Sequence, residues 1–135
     1  MLLSPVGWLY GTIADIRNTL YERGVLKSYS LGARTISIGN ITAGGTGKTP
    51  LVAHVAALLA ESGEKVCILT RGYGRDNPRD RVLVSDGEQV LVDAKKGGDE
   101  PVELARKLIG KAIIVADADR LSAAAWADHP RTELA

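Results

Sequence analysis

The stretch GNITAGGTGKTPLVAHVAALLA, residues 39–60, decides the fold. Its first half is rich in Gly and Thr, and its second half is a helix-forming run of Ala, Leu and Val. The residues just before it, TISIGN (35–40), are a short β-branched run ending in Gly, which reads as a strand feeding a loop. Strand, Gly-rich loop and helix in that order make a phosphate-binding loop. Gly44, Gly45 and Gly47 let the backbone curl tightly, so that its N–H groups approach phosphate oxygens. The N-terminus of the helix over 48–62 adds partial positive charge at the same point. Lys48 supplies a full charge for the β- and γ-phosphates, and the Thr49 hydroxyl is placed to hold Mg²⁺. Pro50 fits the first helical turn, where a backbone N–H has no intrahelical partner. The common pattern has Gly five residues before the Gly of the Gly-Lys pair, and here that position is Thr42. The bland alternative is a Gly-rich turn beside a chance Lys-Thr; the flanking strand and helix weigh against it. The motif points to a nucleoside triphosphate with Mg²⁺. It does not choose the reaction.

Outward from this loop, strands and helices alternate. Upstream, residues 6–23 read as a helix, with Leu9, Ile13, Ile16 and Leu20 at helical spacing and Val6 and Trp8 widening the apolar face. Downstream, VCILT (66–70) is an apolar strand of the kind buried on both faces of a parallel sheet. RGYGRDNPRD (71–80) is a loop. RVLVSDGEQVLVD (81–93) holds two strand-like runs around Asp-Gly, a hairpin signal. GGDEPVELARKLIG (97–110) is a loop entering a helix, with Pro101 in its first turn. AIIVAD (112–117) is a second buried strand, and Asp119 is placed to cap a last helix through Trp126. The pattern predicts a three-layer, P-loop NTPase-like α/β fold with a mainly parallel sheet, preceded by an amphipathic helix. Residues 1–30 are the helical region and 31–135 the nucleotide-binding domain.

Composition narrows the partners. The 135 residues include 17 basic and 16 acidic side chains, too little basic excess to suggest a nucleic-acid partner. There is no Phe, so aliphatic side chains must build the core. A single cysteine, Cys67, excludes an internal disulfide framework, and its place in an apolar strand reads as buried and inert. No apolar run approaches the ~20 residues of a membrane span, and the N-terminus lacks the pattern of a signal peptide. A cytoplasmic protein with a peripheral membrane contact is expected.

Several polar residues allow two readings. Asp99, before Glu-Pro at a helix start, reads from the residues alone as an N-cap. Glu100 complements the helix dipole. Asp117 ends an apolar strand, as a metal-binding Asp does in many such ATPases, or it is structural. Arg75, Arg79 and Arg81 read as a solvated loop face, or as cations for an anionic headgroup or phosphate. His54 reads as a packed or partly exposed helix residue.

Three motifs in order, GNITAGGTGKTP, LTRGYGR and GGDEP, resemble the tetraacyldisaccharide 4'-kinases, which act in lipid A synthesis. That family carries Thr or a similar residue at the place of Thr42. The resemblance covers roughly Trp8 to Trp126. It implies a kinase that uses ATP and Mg²⁺ to phosphorylate the 4'-hydroxyl of an acylated glucosamine disaccharide held in the inner membrane, at its cytoplasmic face. Residues Thr42, Ala43, Gly44, Gly45, Thr46, Gly47, Lys48 and Thr49 would bind ATP. Lys48 would stabilise the transferring phosphoryl group, Thr49 would hold the metal and Asp99 would be the catalytic base. Arg71 and Tyr73 would lie toward the acceptor. Members are more than twice this length and carry a later Asp-Asp-Gly-Phe-Gln-His motif that this sequence lacks, so an N-terminal portion of the kinase is expected. The other classes open to the sequence are a P-loop ATPase switch and a nucleotide-binding remnant without turnover.

Overall fold

The structure is a computed structural model, and it describes residues 5–28, 30, 32–39 and 47–127. The chain divides into two compact units, Met1–Ala33 and Arg34–Ala135. The first holds one helix, α1 (Pro5–Glu22). Its Trp8, Leu9, Tyr10, Ile13 and Ile16 are all more than half exposed.

The second unit runs α2 (Lys48–Glu61), β1 (Val66–Thr70), β2 (Val82–Ser85), α3 (Ala94–Gly97), α4 (Asp99–Lys107), β3 (Ala112–Ala116) and α5 (Arg120–Ala127). The described sheet has the order β1-β3-β2. β1 pairs with β3 in parallel, Val66 opposite Ala112 and Thr70 opposite Ala116. β2 pairs with β3 antiparallel, Val82 opposite Ala116, with a register shift between Leu83 and Ser85. The sheet is therefore mixed, where the sequence pattern predicts a mainly parallel one. The reason is the loop 71–81: it leaves β1 and enters β2 at one end of the sheet, so β2 runs back. The Asp-Gly hairpin is present only in outline. Ser85 bridges Val90, the Leu91 N–H donates to the Val84 carbonyl at 2.9 Å, and no full second strand forms.

The core follows strand alternation. Val82 and Val84 of β2, Ala112, Ile114 and Ala116 of β3, and Ala56, Val102, Leu104, Ala105 and Leu108 form one buried cluster. Ile114, Val84, Val102 and Leu108 lose essentially all solvent contact, each worth about 1.5–3 kcal/mol of burial. Helices α2 and α4 supply the helical side of this cluster. Val115 points to the other face by alternation and is also fully buried, as is Ala123 of α5, which packs on β1 and β3. Asp119 caps α5 as expected: its Oδ1 accepts from the N–H groups of Leu121 and Ser122 at 3.1 and 3.2 Å.

Two sequence expectations are corrected here, and one element is added. Residues 35–39, read as a strand, take no place in the sheet, and Ile36 is 54% exposed. β-branching favours a pleated surface but supplies no ladder partner. Cys67 is exposed rather than buried, while its neighbours in β1 are partly buried. The stretch before Gly98 also contains a short helix, α3, which the sequence reading passes over; Asp93 caps it, accepting from the Lys96 N–H at 3.0 Å.

Candidate functional site

The parallel strands end together at Thr70 and Ala116, and the Asp117 N–H donates to the Thr70 carbonyl at 2.9 Å. In open α/β sheets, ligands bind beyond the carboxyl ends of the strands. The loop 71–81 starts here. Arg71 and Tyr73 project from it, both exposed, and the Arg71 Nη1 donates to the Tyr73 hydroxyl at 3.1 Å. With Gly72, Gly74, Pro78 and Ala118 they line a pocket of ≈ 250 Å³. A larger, more open pocket of ≈ 430 Å³, lined by Asp76, Asp93 and Lys95 among others, holds none of the predicted site residues.

Two helix starts meet beside this loop. α4 begins at Asp99, and its N-cap is Gly98 (φ 92°), with no side-chain cap. The cap reading of Asp99 is therefore wrong: a residue already inside the helix is past the position from which a side chain caps it. Asp99 is exposed, and among the described residues its carboxylate has no hydrogen-bond or ion-pair partner. Next to it, the Glu100 carboxylate accepts a hydrogen bond from the Thr49 hydroxyl in the first turn of α2. That contact joins the end of the Gly-rich stretch to the GGDEP turn. The turn also lies against the Arg71–Tyr73 arm, since a Cβ on Gly98 would sit 3.0 Å from the Tyr73 carbonyl oxygen.

Lys48 opens α2 and is exposed, behind Gly47 at φ 72°. The remaining loop residues assigned to phosphate, Thr42, Ala43, Gly44, Gly45 and Thr46, lie outside the described residues. Among the described residues no three His, Cys, Asp or Glu side chains cluster as a metal site would require. Thr49 and Glu100 bring a hydroxyl and a carboxylate oxygen together at the start of α2, and oxygen donors are what Mg²⁺ takes.

Asp117 is engaged by protein groups in this arrangement. It is buried, its Oδ2 accepts from the Arg81 Nε at 2.7 Å and its Oδ1 from the Asp119 N–H at 2.8 Å. Arg81 also donates to the Ser122 hydroxyl at 2.5 Å and lies 5.6 Å from the centre of the Trp126 ring. Arg81 therefore ties α5 to the start of β2 instead of solvating a loop. The reading of Arg75 as a solvated side chain is also overturned, because it is 5% exposed. Sequence reasoning missed the approach of Glu100 to Thr49. Its only signal was the adjacency of Glu100 to Asp99.

An α/β protein with a Gly-Lys-Thr helix start set against an acidic helix start fits the nucleotide-binding class that the sequence suggests. Residues 1–132 match the tetraacyldisaccharide-1-P 4'-kinase family, and the chain belongs to that family. It is 43% identical over 116 residues to the tetraacyldisaccharide 4'-kinase of Chlorobaculum parvum, and 47% identical over 116 residues to that of Chlorobium phaeovibrioides. Each match covers 86% of this chain and 32% of the relative, so the chain spans about a third of the length of the curated relatives it matches. A crystal structure of LpxK from Aquifex aeolicus in complex with ATP superposes with a TM-score of 0.75 at 39% identity, covering 91% of this chain and 38% of that one.

Proposed function

We propose that this chain is the nucleotide- and acceptor-binding N-terminal portion of a kinase that moves the γ-phosphate of ATP to the 4'-hydroxyl of a tetraacylated disaccharide lipid. Residues 31–135 are a P-loop domain, and residues 1–30 bring it to the cytoplasmic face of the inner membrane. The observation that carries this reading is the Thr49–Glu100 contact, which sets the Lys48–Thr49 helix start beside Asp99. The ATP complex of a 39% identical relative supports the choice of nucleotide.

Phosphoryl transfer needs chiefly positioning and charge stabilisation. Residues Thr42 to Gly47 wrap the phosphates, and Lys48 stabilises charge on the β- and γ-oxygens. Thr49 and Glu100 offer the oxygens that would hold Mg²⁺, which when bound neutralises phosphate charge. Asp99, exposed and without a partner among the described residues, takes the proton of the 4'-hydroxyl as that oxygen bonds to the γ-phosphorus and ADP leaves. Arg71 and Tyr73 hold the acceptor. The test is Lys48→Ala. Charge-assisted bonds to phosphate are worth about 1.5–3 kcal/mol each, so Mg·ATP affinity measured by calorimetry should fall roughly ten- to a hundred-fold. Equal affinity for variant and parent would overturn the reading.

A further inference from the structure

Among the described residues Arg75 is the only basic side chain that is buried. A guanidinium has five N–H donors in one plane, and here all five are used. Nε donates to the Gly72 carbonyl at 3.0 Å. Nη1 donates to the carbonyls of Asp80 and Ala116 at 2.7 and 3.0 Å. Nη2 donates to those of Arg71 and Pro78 at 3.1 and 2.8 Å. Every acceptor is a main-chain oxygen, and no carboxylate pairs with the charge among the described residues. Burying a cation without a counter-charge is costly. The planar fork is used here for its geometry: one side chain ties the outgoing arm (Arg71, Gly72), the returning arm (Pro78, Asp80) and the end of β3 (Ala116).

Two glycines fit closely around it. A Cβ on Gly72, at φ +62°, would lie 2.7 Å from the Arg75 Nε. A Cβ on Gly98, at φ +92°, would lie 3.4 Å from the Arg75 Cγ as well as 3.0 Å from the Tyr73 carbonyl oxygen. Gly98 directly precedes Asp99. The same side chain therefore braces the arm that carries Arg71 and Tyr73 and touches the turn that carries Asp99.

We propose that Arg75 is a positioning residue: its guanidinium holds the Arg71–Tyr73 arm in fixed register against the Gly98–Asp99 turn, so that acceptor pocket and proton acceptor face one point. The roles of Arg71, Tyr73 and Asp99 rest on the function proposed above; the bracing of the loop does not. Lys has the charge without the fork, so Arg75→Lys should not restore the arrangement.

The experiment compares the parent chain with Arg75→Lys, Arg75→Gln and Gly98→Ala. It measures amide hydrogen exchange, Mg·ATP affinity, and affinity for a tetraacylated disaccharide 1-phosphate in detergent micelles. Amides in residues 71–80 should exchange at least about tenfold faster in the variants, with those of β1 and β3 within about twofold of the parent. Acceptor affinity should fall at least about tenfold, with ATP affinity within about twofold. Unchanged exchange in 71–80 overturns the proposal. So does faster exchange spread equally over β1 and β3, which would make Arg75 a general core group. Parent-like acceptor affinity in Arg75→Lys overturns it too, since charge alone would then suffice. If the Arg75 variants do not fold, Gly98→Ala decides by the same readings. If the parent takes no acceptor, the proposed function fails, and the exchange measurement alone decides the role of Arg75.

Discussion

Asp99 and Glu100 are adjacent carboxylates in the first turn of one helix, yet their surroundings differ. Glu100 is engaged by the Thr49 hydroxyl, while Asp99 is exposed and has no partner among the described residues. In the function proposed above, a carboxylate without a partner among the described residues suits proton acceptance, and one engaged by Thr49 suits holding a metal in register. Asp99→Asn keeps the shape and removes the proton acceptor. In a full-length family member carrying this sequence, the transfer rate should fall by about 10²–10⁴, with ATP affinity unchanged. A parent-like rate in a γ-phosphate transfer assay would leave Asp99 without a catalytic role.

At the scale of elements, the turn after β2 is held by one ionised side chain. The Asp86 Oδ1 accepts from the N–H groups of Glu88 and Gln89, each at 2.9 Å. The bonds from Gln89 and then Glu88 hold the Asp86 carboxyl below its usual value of 3.8. A depressed carboxyl pKa stabilises the fold above the unfolded value, and the contribution is lost as pH falls through the folded value. The amide shifts of Glu88 and Gln89 should therefore titrate together with a midpoint below 3.8, and Asp86→Ala should abolish the titration. A midpoint at or above the usual value would contradict this. The helix α1 has a different problem, namely what covers it. Its Trp8, Leu9, Ile13 and Ile16 are exposed, and no helix among the described residues is long and apolar enough to cross a membrane. An apolar helix face with basic residues nearby suits a lipid interface. Replacing Leu9 and Ile13 with Asp should abolish co-sedimentation with anionic liposomes and leave the thermal unfolding midpoint unchanged. Loss of folding would show instead that this face packs on protein.

In the second unit as a whole, stability is centred on β3, the middle strand of the described sheet. Ile114 is fully buried within the main core cluster, whereas Ile36, in a run of equally strong β-propensity, is 54% exposed. Ile114→Ala should cost about 2–5 kcal/mol, and Ile36→Ala no more than about 0.5 kcal/mol. Urea unfolding of the two variants checks the ranking, and the reverse order would mean that residues 35–39 belong to the core.

The features that the sequence by itself determined are local ones. The extents of β1 and β3, the start of α2 and the Asp119 cap of α5 each depend on periodicity or capping within a few residues. The order and direction of the strands depend on which segments meet, and only the tertiary structure decided them. The same holds for the polar contacts that define the site region. Thr49 and Glu100 are 51 positions apart, Arg75 and Ala116 are 41 apart, and Arg81 and Asp117 are 36 apart. A side chain's role at such separations is set by what folding brings against it. That is why an arginine in a polar, Gly-rich loop reads as solvated, and why folding instead buries Arg75 among five carbonyl oxygens.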